Sequence, residues 1–171
     1  FVATNPEFIK TALETQGASI TAGIQNLVAD LGKGRISMTD DAAFEVGRNL
    51  ATTPGRVVFE NDLIQLIQYA PSTNKVFERP LLIVPPCINK FYILDLQPEN
   101  SFVRHAVEQG MTVFLVSWRN PQAELGQLGW EDYVELGALK ALDVVREIGG
   151  ADKLNALGFC VGGTILSAAL S

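Results

Sequence analysis

Basic residues are in short supply: 13 lysines and arginines stand against 19 aspartates and glutamates, giving a net charge of −6. That balance excludes nonspecific binding to nucleic acid or to an anionic membrane, since both need a basic excess and no Lys/Arg run supplies one locally. Cysteine is scarcer still. Cys87 and Cys160 are too few for a disulfide framework, and no signal peptide precedes them, so the expected compartment is reducing and cytoplasmic. No apolar run approaches the ~20 residues that a transmembrane segment requires. Internal repeats and low-complexity tracts are missing, and no metal-ligand cluster stands out. What the chain has is apolar content: 47% of its 171 residues are hydrophobic and 19% charged, enough for one domain with a real core. It begins at Phe1, not Met, and its last residues, "TILSAALS", read as a helix cut in mid-course, so both ends are expected to be those of a fragment.

The first fifty residues read as helical. Asn5-Pro6 supplies an N-cap and a first-turn proline, and Ile20, Ile24, Leu27, Val28 and Leu31 keep helical spacing until "GKG". A second short helix is expected from about Asp40 to Leu50, with Asp40 and Asp41 at its positive end. After Thr53 the texture changes. "RVVFE" and "DLIQLIQYA" are β-rich runs parted by Asn61-Asp62, "PLLIVPP" and "TVFLVSW" suit strands buried on both faces, and "KLNALGF" is a last strand. Helices are expected at "PENSFVRHAVEQG", closed by Gly110, from Trp130 to Ile148 on a stripe of Val134, Ala138, Ala141, Val145 and Ile148, and from Val161 onward. Strand–helix alternation of this kind implies an α/β fold with a mostly parallel sheet covered on both faces. The expected division is a helical region over 1–52 and an α/β region over 53–171.

Within "LGFCVGGT", a strand enters Gly158-Phe159-Cys160-Val161-Gly162 and leaves as a helix, the form of a nucleophile elbow. Small residues on either side let strand and helix pack closely around a strained turn, and Gly163 adds a third. The helix start offers unpaired N–H groups to an oxyanion, Val161 first in line, and its dipole favours a thiolate. A free thiol, with a pKa of about 8.5, is only a few per cent thiolate at neutral pH, so a helix terminus and a base matter. The alternative is a buried structural cysteine in a glycine-rich turn; the strand before and helix after argue for the nucleophile. In an α/β-hydrolase the loop after the third strand supplies a second oxyanion donor, here the backbone N–H of Cys87 or Ile88. Cys87 would then be near Cys160, as a redox pair or as a small side chain lining the pocket. Asp95 falls near the same loop, though a helix N-terminus would explain it equally well. The one histidine, His105, precedes Cys160, against the order nucleophile–acid–histidine of this fold, and reads as a surface or helix-packing residue. Trp118 reads as strand-end packing and Trp130 as the anchor of its helix.

The runs "RPLLIVPPCINKFYILDLQPENSFVRHAVEQG", "TVFLVSWRNP" and "LNALGFCVGGT", with "RNLATTPG" and "LIQYAPS", resemble polyhydroxyalkanoate synthases of the class I, short-chain type, across essentially the whole chain. The resemblance implies an α/β-hydrolase catalytic domain behind a helical N-terminal region. It implies an acyltransferase that polymerises (R)-3-hydroxyacyl-coenzyme A, such as 3-hydroxybutyryl-coenzyme A, into polyester and releases coenzyme A; no separate cofactor is needed. Cys160 matches the acylated nucleophile, and the Val161 and Ile88 amides match the oxyanion hole. The family's catalytic aspartate and histidine fall beyond residue 171, so the chain as given is expected to be inactive and to leave a sheet edge open to aggregation. A homodimer at the surface of a cytoplasmic polymer granule, among granule-associated proteins, is likewise implied. Two other readings are a cysteine thioesterase or hydrolase of the same fold, and a noncatalytic granule-associated homologue.

Overall fold

The computed structural model describes residues 4–40, 42–88 and 90–171. The chain forms two compact units, Phe1–Phe44 and Glu45–Ser171.

The first unit is a pair of helices. In α1, Pro6–Glu14, the Asn5 side chain accepts hydrogen bonds from the Glu7 and Phe8 amides at 3.0 and 3.5 Å, and Pro6 occupies the first turn, where its missing N–H costs nothing. The chain turns through Gln16 and Gly17, both at positive φ, into α2, Ala18–Lys33, which ends on Gly34 in the left-handed region. Neither helix contains a buried residue, and the stripe of Ile24, Leu27, Val28 and Leu31 is exposed.

The helix expected over 40–50 is absent among the described residues; Asp41 lies outside them. Short-range hydrogen bonds offer the backbone a better local solution. Asp40 Oδ1 accepts from the Ala42 amide at 3.0 Å, and Asn49 Oδ1 from the Glu45 amide at 2.8 Å. Gly47, at φ 86°, lets the chain reverse so that Val46 bridges Leu50.

A five-stranded sheet organises the second unit. Its strands are β1 (Gly55–Glu60), β2 (Ile64–Tyr69), β3 (Leu81–Val84), β6 (Val113–Trp118) and β7 (Asn155–Gly158), in the spatial order β1-β2-β6-β3-β7. A separate small hairpin pairs β4 (Asp95–Gln97) with β5 (Asn100–Ser101). Four strands of the large sheet run one way and β2 runs against them, so the sheet is mixed: β1–β2 and β2–β6 are antiparallel, β6–β3 and β3–β7 parallel. The reversal follows from the Asn61-Asp62 turn, where Asn61 Oδ1 accepts the Leu63 and Ile64 amides at 2.9 and 2.8 Å.

Period-2 alternation distributes the core. Leu81, Ile83, Val113 and Leu115 point to the face covered by α3 (Phe102–Glu108), meeting Val103, Ala106 and Val107. Leu82, Val84, Phe114, Val116 and Trp118 point the other way, onto the long helical segment after Trp130 and onto α6 (Val161–Ala169). That segment comprises α4 (Trp130–Asp132), a π-helical stretch (Tyr133–Leu139) and α5 (Lys140–Gly149). Ala138, Ala141 and Val145 of the expected stripe are buried, whereas Ile148 and Trp130 are exposed, so Trp130 does not anchor the helix. The connection from β3 through α3 leads to β6 on one side, and the connection from β6 through α5 leads past β3 to β7 on the other. The C-terminal ends of β3 and β7 therefore lie side by side, Val84 opposite Gly158.

Candidate active site

Sequence and geometry meet at the end of β7. The Phe159 amide still donates to the Val84 carbonyl at 3.0 Å, and the next residue breaks from the strand. Cys160 has φ 54° and ψ −126°, outside the regions an L-residue readily occupies, and its side chain is exposed. Such a conformation costs of order 1–3 kcal/mol and persists only where the surroundings enforce it.

Two glycines make room for this turn. A Cβ on Gly162 would lie 2.0 Å from the Val84 carbonyl oxygen and 2.6 Å from that of Pro85. A Cβ on Gly158 would lie 2.4 Å from the Gly163 Cα. Both positions thus require glycine for close approach of backbone to backbone, and the start of α6 rests directly on the ends of β3 and β7. Gly163 supplies the backbone against which Gly158 packs; a Cβ on Gly163 itself would lie 3.3 Å from the Gly158 carbonyl oxygen, a far milder contact.

Past Cys160 the amides sort themselves. Gly162 N–H donates to the Phe159 carbonyl and Gly163 N–H to the Cys160 carbonyl, each at 2.9 Å. The Val161 N–H, first amide of α6, has no acceptor among the described residues. An exposed thiol next to a free amide at a helix start can attack an acyl carbon and stabilise the oxyanion that forms.

The loop after β3 adjoins this turn. Cys87 is half-buried and packs on the same core cluster as Val161, whereas Ile88 is exposed. Above the loop lies Tyr133, its ring centroid 5.5 Å from that of Trp118. Burial and then the neighbouring Cys87 push the Tyr133 hydroxyl above its ordinary pKa.

Asp95 and His105 stand elsewhere. Asp95 is buried, and its Oδ1 accepts from the Thr53 and Ser101 hydroxyls, both at 2.6 Å. Ser101 in turn accepts the Arg104 amide at 2.9 Å as the N-cap of α3. Asp95 thereby aims the cap. His105 is exposed on α3. Neither makes a described contact with Cys160, and both belong to the side of the sheet that α3 covers. Among the described residues no three His, Cys, Asp or Glu side chains gather to hold a metal ion.

Sequence reasoning missed what surrounds the loop. Trp118 is buried strand-end packing, as its position suggested, but its indole N–H also donates to the Pro85 carbonyl at 2.8 Å. The signal available was a tryptophan ending one strand beside a strand that ends in two prolines.

Comparison with known proteins adds an independent line. Residues 1–106 match the family described as poly-beta-hydroxybutyrate polymerase (PhaC) N-terminus. The whole chain is 61% identical to the poly(3-hydroxyalkanoate) polymerase subunit PhaC of Cupriavidus necator over 171 residues, covering 29% of that protein. It is 45% identical over 175 residues to the subunit of the same name from Rhizobium meliloti, again covering 29%. Identity to the poly(3-hydroxyalkanoate) polymerase 1 of Ectopseudomonas oleovorans is 46% over 167 residues, 96% of the chain and 30% of the relative. The chain thus spans under a third of the length of the relatives it matches.

Proposed function

The chain belongs to the poly-beta-hydroxybutyrate polymerase family, and from that premise we propose that it supplies the nucleophile elbow of an α/β-hydrolase-type acyltransferase. The substrate is an (R)-3-hydroxyacyl-coenzyme A of short chain, such as 3-hydroxybutyryl-coenzyme A, and the product a polyester. The observation that carries this reading is Cys160, exposed at φ 54° and ψ −126° between a parallel strand and a helix start.

In the proposed reaction the Cys160 thiolate attacks the thioester carbonyl. The oxyanion is held by the Val161 N–H and by an amide of the loop after β3, Cys87 or Ile88. Collapse expels coenzyme A as its thiolate and leaves an acyl thioester on Cys160. One thioester replaces another, so loading loses little free energy, and the acyl group stays activated for attack by a hydroxyl of another hydroxyacyl unit. That attack forms the ester link and returns the Cys160 thiolate, with a general base taking the hydroxyl proton. A serine would form an oxoester and surrender the activation before elongation. The base and its carboxylate partner come from outside residues 1–171. No cofactor beyond the coenzyme A carried by the substrate takes part, and the whole protein works as a homodimer at the surface of a cytoplasmic polymer granule.

The test uses the whole protein with (R)-3-hydroxybutyryl-coenzyme A, following both coenzyme A release and insoluble polyester, beside Cys160→Ser and Cys160→Ala. Polymer from the unsubstituted protein and at least a ~100-fold loss in the variants are expected. Release of coenzyme A with only free hydroxy acid would identify a thioesterase instead. Undiminished polymerisation by Cys160→Ala would overturn the mechanism.

A further inference from the structure

The loop that follows β3 is poor in means to hold itself still. Pro85 and Pro86 have no N–H, so neither can donate a backbone hydrogen bond. Among the described residues, the only side-chain hydrogen bond reaching residues 85–88 is the one from the Trp118 indole N–H to the Pro85 carbonyl, 2.8 Å and buried. The same carbonyl is one of the two against which Gly162 packs, since a Cβ there would approach it to 2.6 Å and the Val84 carbonyl oxygen to 2.0 Å. Pro85 is therefore gripped from one side by the indole and from the other by the first turn of α6.

The indole is itself fixed. A Cβ on Gly137 would lie 2.5 Å from two of its ring carbons, so the ring occupies a slot that only a glycine leaves open. Gly137 belongs to the π-helical stretch, where an extra residue per turn displaces the helix locally. Asn61 secures that stretch by donating to the Leu136 carbonyl at 2.8 Å. Tyr133, in the same stretch, packs its ring on the indole at a tilt of 34°, the centroids 5.5 Å apart.

We propose that Trp118 is a positioning residue for the acyl-transfer step: through Pro85 it sets the height of the Cys87–Ile88 amides relative to Cys160. The inference rests on the function proposed above. It assigns to the π-helical stretch the task of shaping the indole slot, and it makes the hydrogen-bond donor, rather than the bulk of the ring, the feature that matters for rate.

The decisive variant is Trp118→Phe in the whole protein, which keeps an aromatic ring at the end of β6 and removes the donor together with the ring carbons nearest Gly137. Three readouts separate the possibilities: the positions of the Cys87 and Ile88 amides relative to Cys160 in a crystal structure of the variant, the single-turnover rate of coenzyme A release from (R)-3-hydroxybutyryl-coenzyme A, and alkylation of Cys160 by iodoacetamide. A misplaced oxyanion donor slows release ~10- to ~100-fold at saturating substrate with KM little changed. The two amides shift relative to Cys160, while alkylation, which needs no oxyanion donor, stays within about twofold. Gly137→Ala, which keeps the donor and pushes the ring, should give a smaller loss of the same pattern, and it carries the test should Trp118→Phe not fold. Unmoved amides, unchanged release, or a parallel fall in alkylation would each overturn the proposal. Failure of the unsubstituted protein to release coenzyme A would count against the proposed function instead, and the positions of the two amides would still decide whether the indole holds the loop.

Discussion

Cys160 holds an unfavourable backbone conformation in an exposed position, and the two glycines beside it have no room for a methyl group. These facts set opposite signs for substitutions only two residues apart. Cys160→Gly relieves strain of order 1–3 kcal/mol and adds back about 0.5–1 kcal/mol of chain entropy, so a net gain of about 1 kcal/mol in unfolding free energy is expected. Gly162→Ala forces a methyl onto the Val84 and Pro85 carbonyls, a backbone clash that calls for about 3 kcal/mol of destabilisation. Denaturant midpoints of the two variants check the pair; a Cys160→Gly protein as destabilised as Gly162→Ala would remove strain from the account. The tight strand-to-helix turn at Cys160 was legible in the sequence because its glycines are closely spaced, although the carbonyls that forbid a side chain on Gly162 belong to Val84 and Pro85. The surroundings of Asp95 were not legible, because Thr53 and Ser101 reach it from 42 residues before and 6 residues after.

Asp95 joins three elements: the segment leading into β1 through Thr53, the small β4–β5 hairpin, and the N-terminus of α3 through Ser101. Its main-chain carbonyl also accepts the amide of Ala51, held at φ 51°, at 2.9 Å. Nearby, the Tyr69 hydroxyl of β2 is buried without a hydrogen-bond partner among the described residues. Burial first, and Asp95 second, push its pKa above the ordinary value. The folded molecule thus keeps the Tyr69 proton at pH values where the unfolded chain has lost it. Stability is unaffected below the unfolded value of about 10 and falls as pH rises beyond it, with a slope approaching ~1.4 kcal/mol per pH unit. Tyr69→Phe should therefore be neutral or stabilising at pH 8, where it removes an unpaired buried hydroxyl, and clearly stabilising at pH 11. Equilibrium unfolding at both values decides; a loss at pH 8 would show that the hydroxyl has a partner. At this scale the strands and helices with clean period-2 or helical spacing were legible. The turn over 42–50 was not, because hydrogen bonds from Asp40 and Asn49 outcompete a helix-start signal. The π-helical stretch was missed because an apolar stripe does not distinguish its spacing over one turn from that of an α-helix.

Over the whole molecule the two units differ in kind. Glu45–Ser171 has a two-sided core organised by its sheet, whereas the helices of Phe1–Phe44 bury no residue. Sequence pattern conveyed the α/β class and the covered faces; the antiparallel pairings of β2 depend on a turn and on partners distant in sequence. The proposed role of Glu45–Ser171 is to present one thiol, that of Cys160, to an acyl carbon. The most direct test is to mix the whole protein with (R)-3-hydroxybutyryl-coenzyme A, quench in acid, and map the acylated peptide by mass spectrometry. The account predicts a hydroxylamine-labile 3-hydroxybutyryl thioester on Cys160, absent from Cys160→Ala. Coenzyme A release with the acyl group on another residue, or with none trapped and Cys160→Ala equally active, would contradict it.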